Sequence, residues 1–328
     1  MLPLESIPLE AIRRAVTRIA GGAIRTPLVR LEDSEAPAEI WLKLENLQPI
    51  GSFKLRGALN AMALASPQSL SNGVYTASAG NMAQGVAWSA RQLGVACRVI
   101  VPERAPDTKL RAIERLGAEI IRVPFDEWWQ TIIQHSYPGM TGLFIHPVSD
   151  PAVIAGNGTI GLEILEDLPD VDAVVVPYGG GGLSCGIASA VRALSPSTRV
   201  IACEVSTAAP FSASLAAGRA TTVEYTPSFV DGIGGKSVLA DMWPLARDLL
   251  GSSVVVTPSQ VAGAIRLIAE RARVVAEGAG AAALAAVRSG QAGTGRIVCI
   301  VSGGNIDPAA FAAILRGELP GGAPPRTE

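Results

Sequence analysis

The sequence predicts an α/β fold in which parallel-rich, twisted sheets are flanked by helices on both faces. Two observations predict it. Short apolar segments alternate with segments of helical periodicity from about residue 74 onward, and polar or glycine-rich turns follow several of the apolar segments. The chain has 328 residues, of which 48% are hydrophobic and 17% charged, so it is long enough for two lobes. No linker-like stretch separates the lobes, which favours one continuous body.

The first series of alternating elements follows a helix at 9–20 and a strand at 39–45. We expect strands at 74–77, 97–101 and 119–123. Three helices are expected: one that follows the strand at 74–77, one at 107–117 and one from about 126. Ligands of parallel sheets gather at the carboxyl ends of the strands, and the turn at 78–81 occupies such an end.

The second series begins near residue 151. We expect strands at 173–177, 200–204 and 296–301. Helices are expected at 160–168, from the end of the glycine run to 194, at 258–276 and at 279–289. The strand at 173–177 runs into four consecutive glycines, and the last strand ends in Ser-Gly-Gly-Asn.

Composition argues against several classes of protein. The net charge of −2, without a basic run, argues against nucleic-acid binding. The four cysteines are widely spaced and form no C-x-x-C pair, so we expect neither disulfides nor zinc, and a reducing cytoplasm fits. Two histidines leave little material for a catalytic triad or a metal site. No long apolar stretch or signal sequence is evident, so we expect no membrane partner.

Lys54 is the candidate nucleophile. It follows Phe53 and a turn at 48–51, and apolar residues at helical spacing begin with Leu55, so Lys54 falls in the first turn of a helix. The positive end of a helix dipole disfavours an ammonium ion, and partial burial would lower the pKa towards a reactive, neutral amine. From this window alone, a solvated surface lysine remains the alternative.

The glycine run at 179–182 is a candidate anion cradle. Without side chains, its backbone N–H groups could close on a phosphate at the start of the following helix. A tight turn without a ligand is the alternative. A dinucleotide motif fails because its last glycine would be Ser184 or Cys185, and a Walker A motif at 230–237 fails because its first glycine would be Val230.

Two further segments are ambiguous alone. The segment at 78–81 could bind a carboxylate or serve as an ordinary helix cap, and the segment at 302–305 follows the last apolar strand. The set is informative: a candidate amine, a carboxylate loop, a phosphate cradle and a final strand-end serine.

In this order and spacing, KLENLQPIGSFKLRGA, SAGNMAQG, GGGGL and SGGN resemble motifs of the fold-type II pyridoxal-phosphate enzymes, specifically the threonine/serine dehydratases (ammonia-lyases) and serine racemase. The resemblance runs from about Thr26 to Asn305, with further matches in HPVSDPAVIAGNGTIGLEIL and EGAGAAALAA. It implies a two-lobed, tryptophan synthase β-like fold. A large cofactor-binding domain would comprise 1–70 and 150–320, and a small substrate-carboxylate domain would comprise 73–146. The Pro- and Gly-rich sequence of 321–328 by itself predicts a flexible tail.

The resemblance also implies roles for individual residues. Lys54 would carry pyridoxal 5′-phosphate and move protons, and Phe53 would pack against its ring. The other cofactor contacts would be Asn81 to the ring hydroxyl, Ser302 to the ring nitrogen, and Gly179, Gly180, Gly181, Gly182 and Leu183 to the phosphate. The substrate carboxylate would lie against Ser78, Ala79, Gly80, Asn81 and Met82.

Three positions depart from the family pattern. Met82 stands where relatives have histidine, and Trp128-Trp129 lies in a segment that is polar in many relatives. The tryptophans would serve helix packing or, alternatively, face an apolar substrate side chain. Glu204 matches a metal-site glutamate of serine racemase, but Pro210 stands at a later aspartate position, so no metal is expected.

The resemblance therefore implies α,β-elimination from a 3-hydroxy amino acid, L-threonine or L-serine, to a 2-oxo acid and ammonia, by a cytoplasmic homodimer. The alternatives are a bulkier substrate (phenylserine, 3-hydroxyaspartate or one derived from hydroxyectoine), a serine racemase, and a β-replacement enzyme of the same fold. A phosphate-ligand-binding protein is the non-enzyme alternative.

Overall fold

The computed structural model describes residues 4–321, and it contains two sheets. The strands are β1 (Leu28–Leu31), β2 (Glu39–Lys43), β3 (Val74–Ala77), β4 (Cys97–Pro102), β5 (Glu119–Val123), β6 (Leu143–Phe144), β7 (Ala173–Pro177), β8 (Arg199–Val205), β9 (Ser253–Val256) and β10 (Arg296–Ile300). Residues 322–328 of the predicted tail lie outside the described residues.

Helices lie between most of these strands. They are α1 (Leu9–Ile19), α2 (Lys54–Leu64), α3 (Pro67–Leu70), α4 (Asn81–Leu93), α5 (Asp107–Glu114), α6 (Phe125–Gln134), α7 (Pro151–Asp167), α8 (Gly182–Leu194), α9 (Pro210–Ala217), α10 (Trp243–Leu250), α11 (Pro258–Leu267), α12 (Gly278–Arg288) and α13 (Pro308–Leu315). The helix expected over 258–276 is shorter, because it passes into a π-helical turn (Ile268–Ala272) after α11.

The larger sheet has six strands in the order β1-β2-β10-β7-β8-β9, and only the β1–β2 pair is antiparallel. Its central strand β7 is buried along its whole length. Ala173 and Val175 join the hydrophobic cluster on one face, and Val174 and Val176 join the cluster on the other. This alternation shows why the strand is a continuous apolar run: helices cover both faces of the sheet.

The smaller sheet has four parallel strands in the order β5-β4-β3-β6. One hydrophobic cluster contains apolar residues of α2 and α4. A second contains residues of β3 and β4, and Trp128 and Trp129 of α6 pack against it. The indoles therefore serve packing, as the first of the two interpretations expected. The domain boundaries at 1–70, 73–146 and 150–320 stay a prediction.

Helix α2 is anchored by a buried arginine. The Arg56 side chain is 1% exposed, and its Nε and Nη2 donate to the two carboxylate oxygens of Glu45, each at 2.8 Å. Nη1 and Nη2 also donate to Glu163 at 2.6 and 2.9 Å, and Nη1 donates to Thr159. Although burial alone would raise the pKa of Glu45, the charge and hydrogen bonds of Arg56 hold it below its usual value.

All four cysteines are free and buried. Burial raises the pKa of each thiol, that of Cys97 to about 12. Among residues 4–321, no helix has the length and apolar character needed to cross a bilayer.

Replacing Arg56 by methionine should lower the free energy of unfolding by about 3–5 kcal/mol, because the buried carboxylate of Glu45 would lose its paired cation and Glu163 would keep only Lys43. Denaturant unfolding measures this. Arg25→Met is the matched control, since Arg25 pairs with Glu166 and Asp167 at the surface and should lose about 1 kcal/mol or less. Equal losses in the two variants would contradict a structural role for the buried network.

Candidate active site

The amine of Lys54 lies where the sequence predicts it, at the first residue of α2. Its Nζ donates to the carbonyl oxygen of Pro147 at 2.9 Å and lies 5.3 Å from the centroid of the Phe53 ring. Burial lowers the pKa of Lys54 from 10.5 to about 8. A neutral, nucleophilic amine is therefore accessible near neutral pH.

The lysine segment is paired with the segment that follows β10. The Phe53 N–H donates to the carbonyl oxygen of Ser302 at 3.0 Å, and Ser52 forms an antiparallel bridge with Gly303. Within the described chain, the fully buried Ser52 hydroxyl has no hydrogen-bond partner. It is thus a donor that a bound acceptor such as a phosphate oxygen would satisfy. No sequence pattern predicted a role for Ser52, although it lies inside the lysine motif.

The glycine run follows β7 and leads into α8, so its backbone amides lie at the positive end of that helix. Gly181 has a φ of 96°, which favours glycine. A Cβ on Gly180 would lie 2.5 Å from Val148 Cγ2, and one on Gly182 would lie 2.8 Å from the Val148 carbonyl oxygen. The Leu183 side chain is buried in the core, so only its backbone can contribute to an anion site.

Asn81 is held by two polar side chains. Its Nδ2 donates to Glu277 Oε1 at 2.8 Å, and its Oδ1 accepts from Asn305 Nδ2, also at 2.8 Å. Asn305 in turn donates to the carbonyl oxygen of Ile50, just before the lysine segment. These hydrogen bonds fix the amide orientation of Asn81 and connect the loop after β3 with the loops before α2 and after β10.

Glu277 is the buried acid of this cluster. It begins the EGAG segment, but no sequence pattern predicted a role for it. A Cβ on Gly303 would lie 2.5 Å from its Oε1, so the carboxyl group lies directly against the segment that contains Ser302. Burial, with a smaller contribution from the charge of Asp231, raises the pKa of Glu277 to about 7. The group can thus gain or lose a proton near neutral pH.

The expected carboxylate loop follows β3 and opens α4, a 13-residue helix. The Ser78 hydroxyl accepts from the N–H of Gly80 at 3.3 Å, and a Cβ on Gly80 would meet nothing within 4 Å. Ala79 packs against the core of the smaller sheet. The Met82 side chain is 2% exposed and lies in that same core, so only its backbone can reach a substrate.

Glu204 caps a helix. Its carboxylate oxygens accept hydrogen bonds from the backbone N–H groups of Phe211 and Ser212 and from the Ser253 hydroxyl, each at 2.8 Å. Pro210 begins α9, so the carboxylate lies at the positive end of that helix. In the part of the chain that the structure describes, no group of three or more His, Cys, Asp or Glu side chains could hold a metal ion.

The structure thus connects the four predicted segments. Lys54 contacts the residue before Val148, Val148 packs against the glycine run, Phe53 pairs with Ser302, and Asn81 bonds Asn305. A reactive amine, a glycine cradle at a helix start and a free serine hydroxyl fit a ligand that combines an aldehyde with a phosphate. That chemical combination is the one the sequence predicts.

Comparisons with known proteins agree with this predicted cofactor chemistry. A family model described as "Pyridoxal-phosphate dependent enzyme" matches residues 19–303. An L-threonine ammonia-lyase of Geobacter sulfurreducens is 41% identical over 94% of this chain and 78% of that protein. The catabolic L-threonine dehydratase TdcB of Escherichia coli is 39% identical over 92% of this chain and 94% of its own length.

Solved structures are similar over nearly the whole chain. The match to maize serine racemase has a TM-score of 0.86 at 31% identity, and it covers 95% of this chain and 98% of the racemase chain. The processed form of threonine deaminase isoform 2 from Solanum lycopersicum has a TM-score of 0.83 at 30% identity, with 96% and 92% covered. These matches confirm the predicted fold-type II architecture. The chain therefore belongs to the family of pyridoxal-phosphate-dependent enzymes, whose cofactor is the one that its sequence predicts.

Proposed function

We propose that this enzyme removes water and then ammonia from L-threonine or L-serine and releases a 2-oxo acid. The observation that carries the proposal is the amine of Lys54, whose pKa is lowered to about 8 beside a glycine cradle for phosphate. Relatives described as L-threonine ammonia-lyase, with 41% and 43% identity, support the substrate class. A β-replacement activity would need a second nucleophile, which distinguishes it experimentally.

In this proposal, Lys54 holds the cofactor, Phe53 packs beside it, and Asn81 and Ser302 contact its ring. The phosphate lies against the backbone of 179–183, with the free Ser52 hydroxyl as a further donor. When bound, the cofactor supplies an electron sink for the pair left when the Cα proton departs. The Ser302 hydroxyl is neutral, so it does not enforce a protonated ring nitrogen as a carboxylate would.

Lys54 is also the proposed base. Its buried amine can accept the Cα proton, and the Pro147 carbonyl oxygen accepts one of its hydrogens in either protonation state. Loss of the 3-hydroxyl group, with a proton, as water completes the elimination. Hydrolysis of the released enamine then consumes one water and gives the 2-oxo acid and ammonia.

The substrate carboxylate is proposed to lie against the loop at 78–82. Backbone N–H groups at the start of α4 lie at the positive end of the helix, which favours an anion. Because the Met82 side chain faces the core, its departure from the family histidine leaves the backbone donors of the loop in place.

We further propose a cytoplasmic homodimer that acts on small amino acids, without nucleic-acid or membrane partners. The buried free thiols support the cytoplasm, and the net charge of −2 supports the absence of a nucleic-acid partner. The homodimer rests on the family resemblance. We also propose the small domain at 73–146 and the large domain at 1–70 and 150–320, because the strands of the smaller sheet all come from the first range and those of the larger sheet from the other two.

The purified protein should carry pyridoxal phosphate on Lys54. Borohydride reduction followed by peptide mapping should place the cofactor on this residue, and Lys54→Ala should lose both the label and 2-oxo acid release from L-threonine. Lys109→Arg, which keeps a cation beside Asp231, should retain both. A label on another lysine, or a protein without cofactor, would contradict the proposed function.

Glu277→Gln should raise the free energy of unfolding relative to that of the wild type as the pH rises. The folded pKa of about 7 lies above the usual 4.5, so the folded state holds a proton that the unfolded state releases. This contribution to stability is complete below about pH 4.5 and is lost as pH rises through 7. The wild type should therefore lose unfolding free energy on the order of 3 kcal/mol by pH 8, and the Glu277→Gln variant should not.

Unfolding of the Glu277→Gln variant and the wild type at pH 5 and pH 8 measures this difference. Glutamine can still accept the hydrogen bond from Asn81, so the geometry of the cluster is retained. Glu10→Gln on the exposed face of α1 controls for the loss of a charge. Parallel pH curves for wild type and Glu277→Gln would show that Glu277 does not titrate in this range.

Ala79→Ser should raise the ratio of racemisation to elimination with L-serine. Racemisation returns a proton to the face of Cα opposite the one that Lys54 serves. The resemblance to serine racemase implies that residue 79 lies at that face, where that enzyme has a serine, and the methyl group of Ala79 cannot donate a proton. A placed general acid contributes ~10²–10⁴-fold. Chiral analysis alongside pyruvate release measures the ratio, with Ala79→Gly as the control without a donor. A wild-type enzyme that forms D-serine as fast as pyruvate would overturn the assignment as a dehydratase.

A further inference from the structure

His146 occupies the loop between β6 and α7 and is only 2% exposed. Its Nδ1 accepts hydrogen bonds from the backbone N–H groups of Val148 and Ser149, at 3.1 and 2.7 Å. Its Nε2 lies 3.2 Å from the carbonyl oxygen of Ile132, at the end of α6. The ring of His135 stacks on it with a centroid distance of 4.0 Å.

These partners fix the protonation state of the imidazole. A backbone N–H can only donate, so Nδ1 must be unprotonated, and a carbonyl oxygen can only accept, so Nε2 carries the hydrogen. Burial and the neighbouring His135 lower the pKa of His146 to about 3, which agrees with a ring that stays neutral.

The loop that His146 closes touches both halves of the candidate cofactor site. The carbonyl oxygen of Pro147 accepts from Lys54 Nζ at 2.9 Å. Val148 lies directly against Gly180 and Gly182, where added Cβ atoms would come within 2.5 and 2.8 Å of it. A shift of this loop would therefore move the acceptor of the lysine amine and the wall behind the glycine run together.

The sequence of the loop makes its conformation depend on the imidazole of His146. Pro147 has no N–H, so the amides of Val148 and Ser149 are the first two donors after His146, and both of them use Nδ1. A buried amide without an acceptor disfavours the conformation that buries it. Removing Nδ1 would thus leave two such amides at the turn.

We propose that His146 is a positioning residue: its neutral Nε2–H imidazole holds the turn His146–Ser149 and, through it, both the Lys54 amine and the glycine run at 179–182. The residue does not touch the substrate in this proposal. It acts on the cofactor site through the Pro147 carbonyl and the Val148 side chain. The proposal rests on the family cofactor, and it does not depend on which amino acid is the substrate.

Two amide variants separate the two nitrogen atoms of the ring. His146→Asn places an amide oxygen near the position of Nδ1, as in turns where asparagine accepts from the following backbone amides. His146→Gln carries the same amide one methylene further out, near Nε2, and leaves Val148 and Ser149 without that acceptor. His146→Leu removes both functions. The comparison of Asn with Gln stands even if the leucine variant fails to fold.

The main measurement is the dissociation constant of pyridoxal phosphate from the cofactor-free protein. We expect His146→Asn to bind within about threefold of wild type, and the Gln and Leu variants to bind about tenfold more weakly or worse. The pH dependence of Lys54 acylation by acetic anhydride, followed by mass spectrometry without cofactor, should shift in the Gln and Leu variants only. Neither measurement uses a substrate, so an incorrect substrate assignment would leave both unaffected.

Ile132→Ala is the matched control, because it removes a buried side chain next to His146 and leaves the carbonyl oxygen in place. It should lower the melting temperature of the cofactor-free protein with little effect on cofactor affinity. Equal cofactor affinities for the Asn and Gln variants, whether strong or weak, would overturn the proposal. A loss of affinity in Ile132→Ala as large as that in His146→Leu would overturn it as well.

Discussion

The position of the reactive amine depends on a buried ion pair two residues away. Arg56 faces inward from α2 and pairs with Glu45, which precedes the helix, and with Glu163 on α7. Residues two apart on a helix point to different sides, so this pairing fixes the rotation of α2 and directs Lys54 away from the network. Lys43 of β2 also pairs with Glu163, which ties the helix to the larger sheet.

Close helix packing makes that arrangement possible. A Cβ on Gly156 of α7 would lie 2.4 Å from the carbonyl oxygen of Arg56, and one on Gly186 of α8 would lie 2.5 Å from that of Ile154. Glycine at these two positions lets α2, α7 and α8 approach until their backbones touch. Helix α8 begins at Gly182, the last residue of the glycine run, so the packing that places the amine also places the cradle.

Local sequence was sufficient for strands β3, β5 and β7, whose bounds match the prediction because each is a short segment rich in apolar and β-branched residues between turn signals. The prediction missed the four-residue edge strand β9, although its three consecutive valines between Gly251 and Pro258 are a local strand pattern. Helix α7 begins nine residues before the predicted residue 160, at an Asp150-Pro151 start in which the carboxylate accepts from two backbone amides. The motifs identified Lys54 and the glycine run. Glu277 contacts Asn81, and the His146 imidazole contacts the carbonyl oxygen of Ile132 as well as its own turn; no local pattern could reveal these long-range contacts.

The four cysteines have a practical consequence. A thiol reacts as its thiolate, and burial holds every native thiol of this protein in the protonated form, inaccessible to reagents. A single cysteine introduced at the surface of α5 would therefore be the preferred site for a maleimide dye, without removal of the native cysteines. A second cysteine introduced on α10 could carry a second dye. The pair of dyes would report the distance between the two sheets during turnover in the otherwise natural chain.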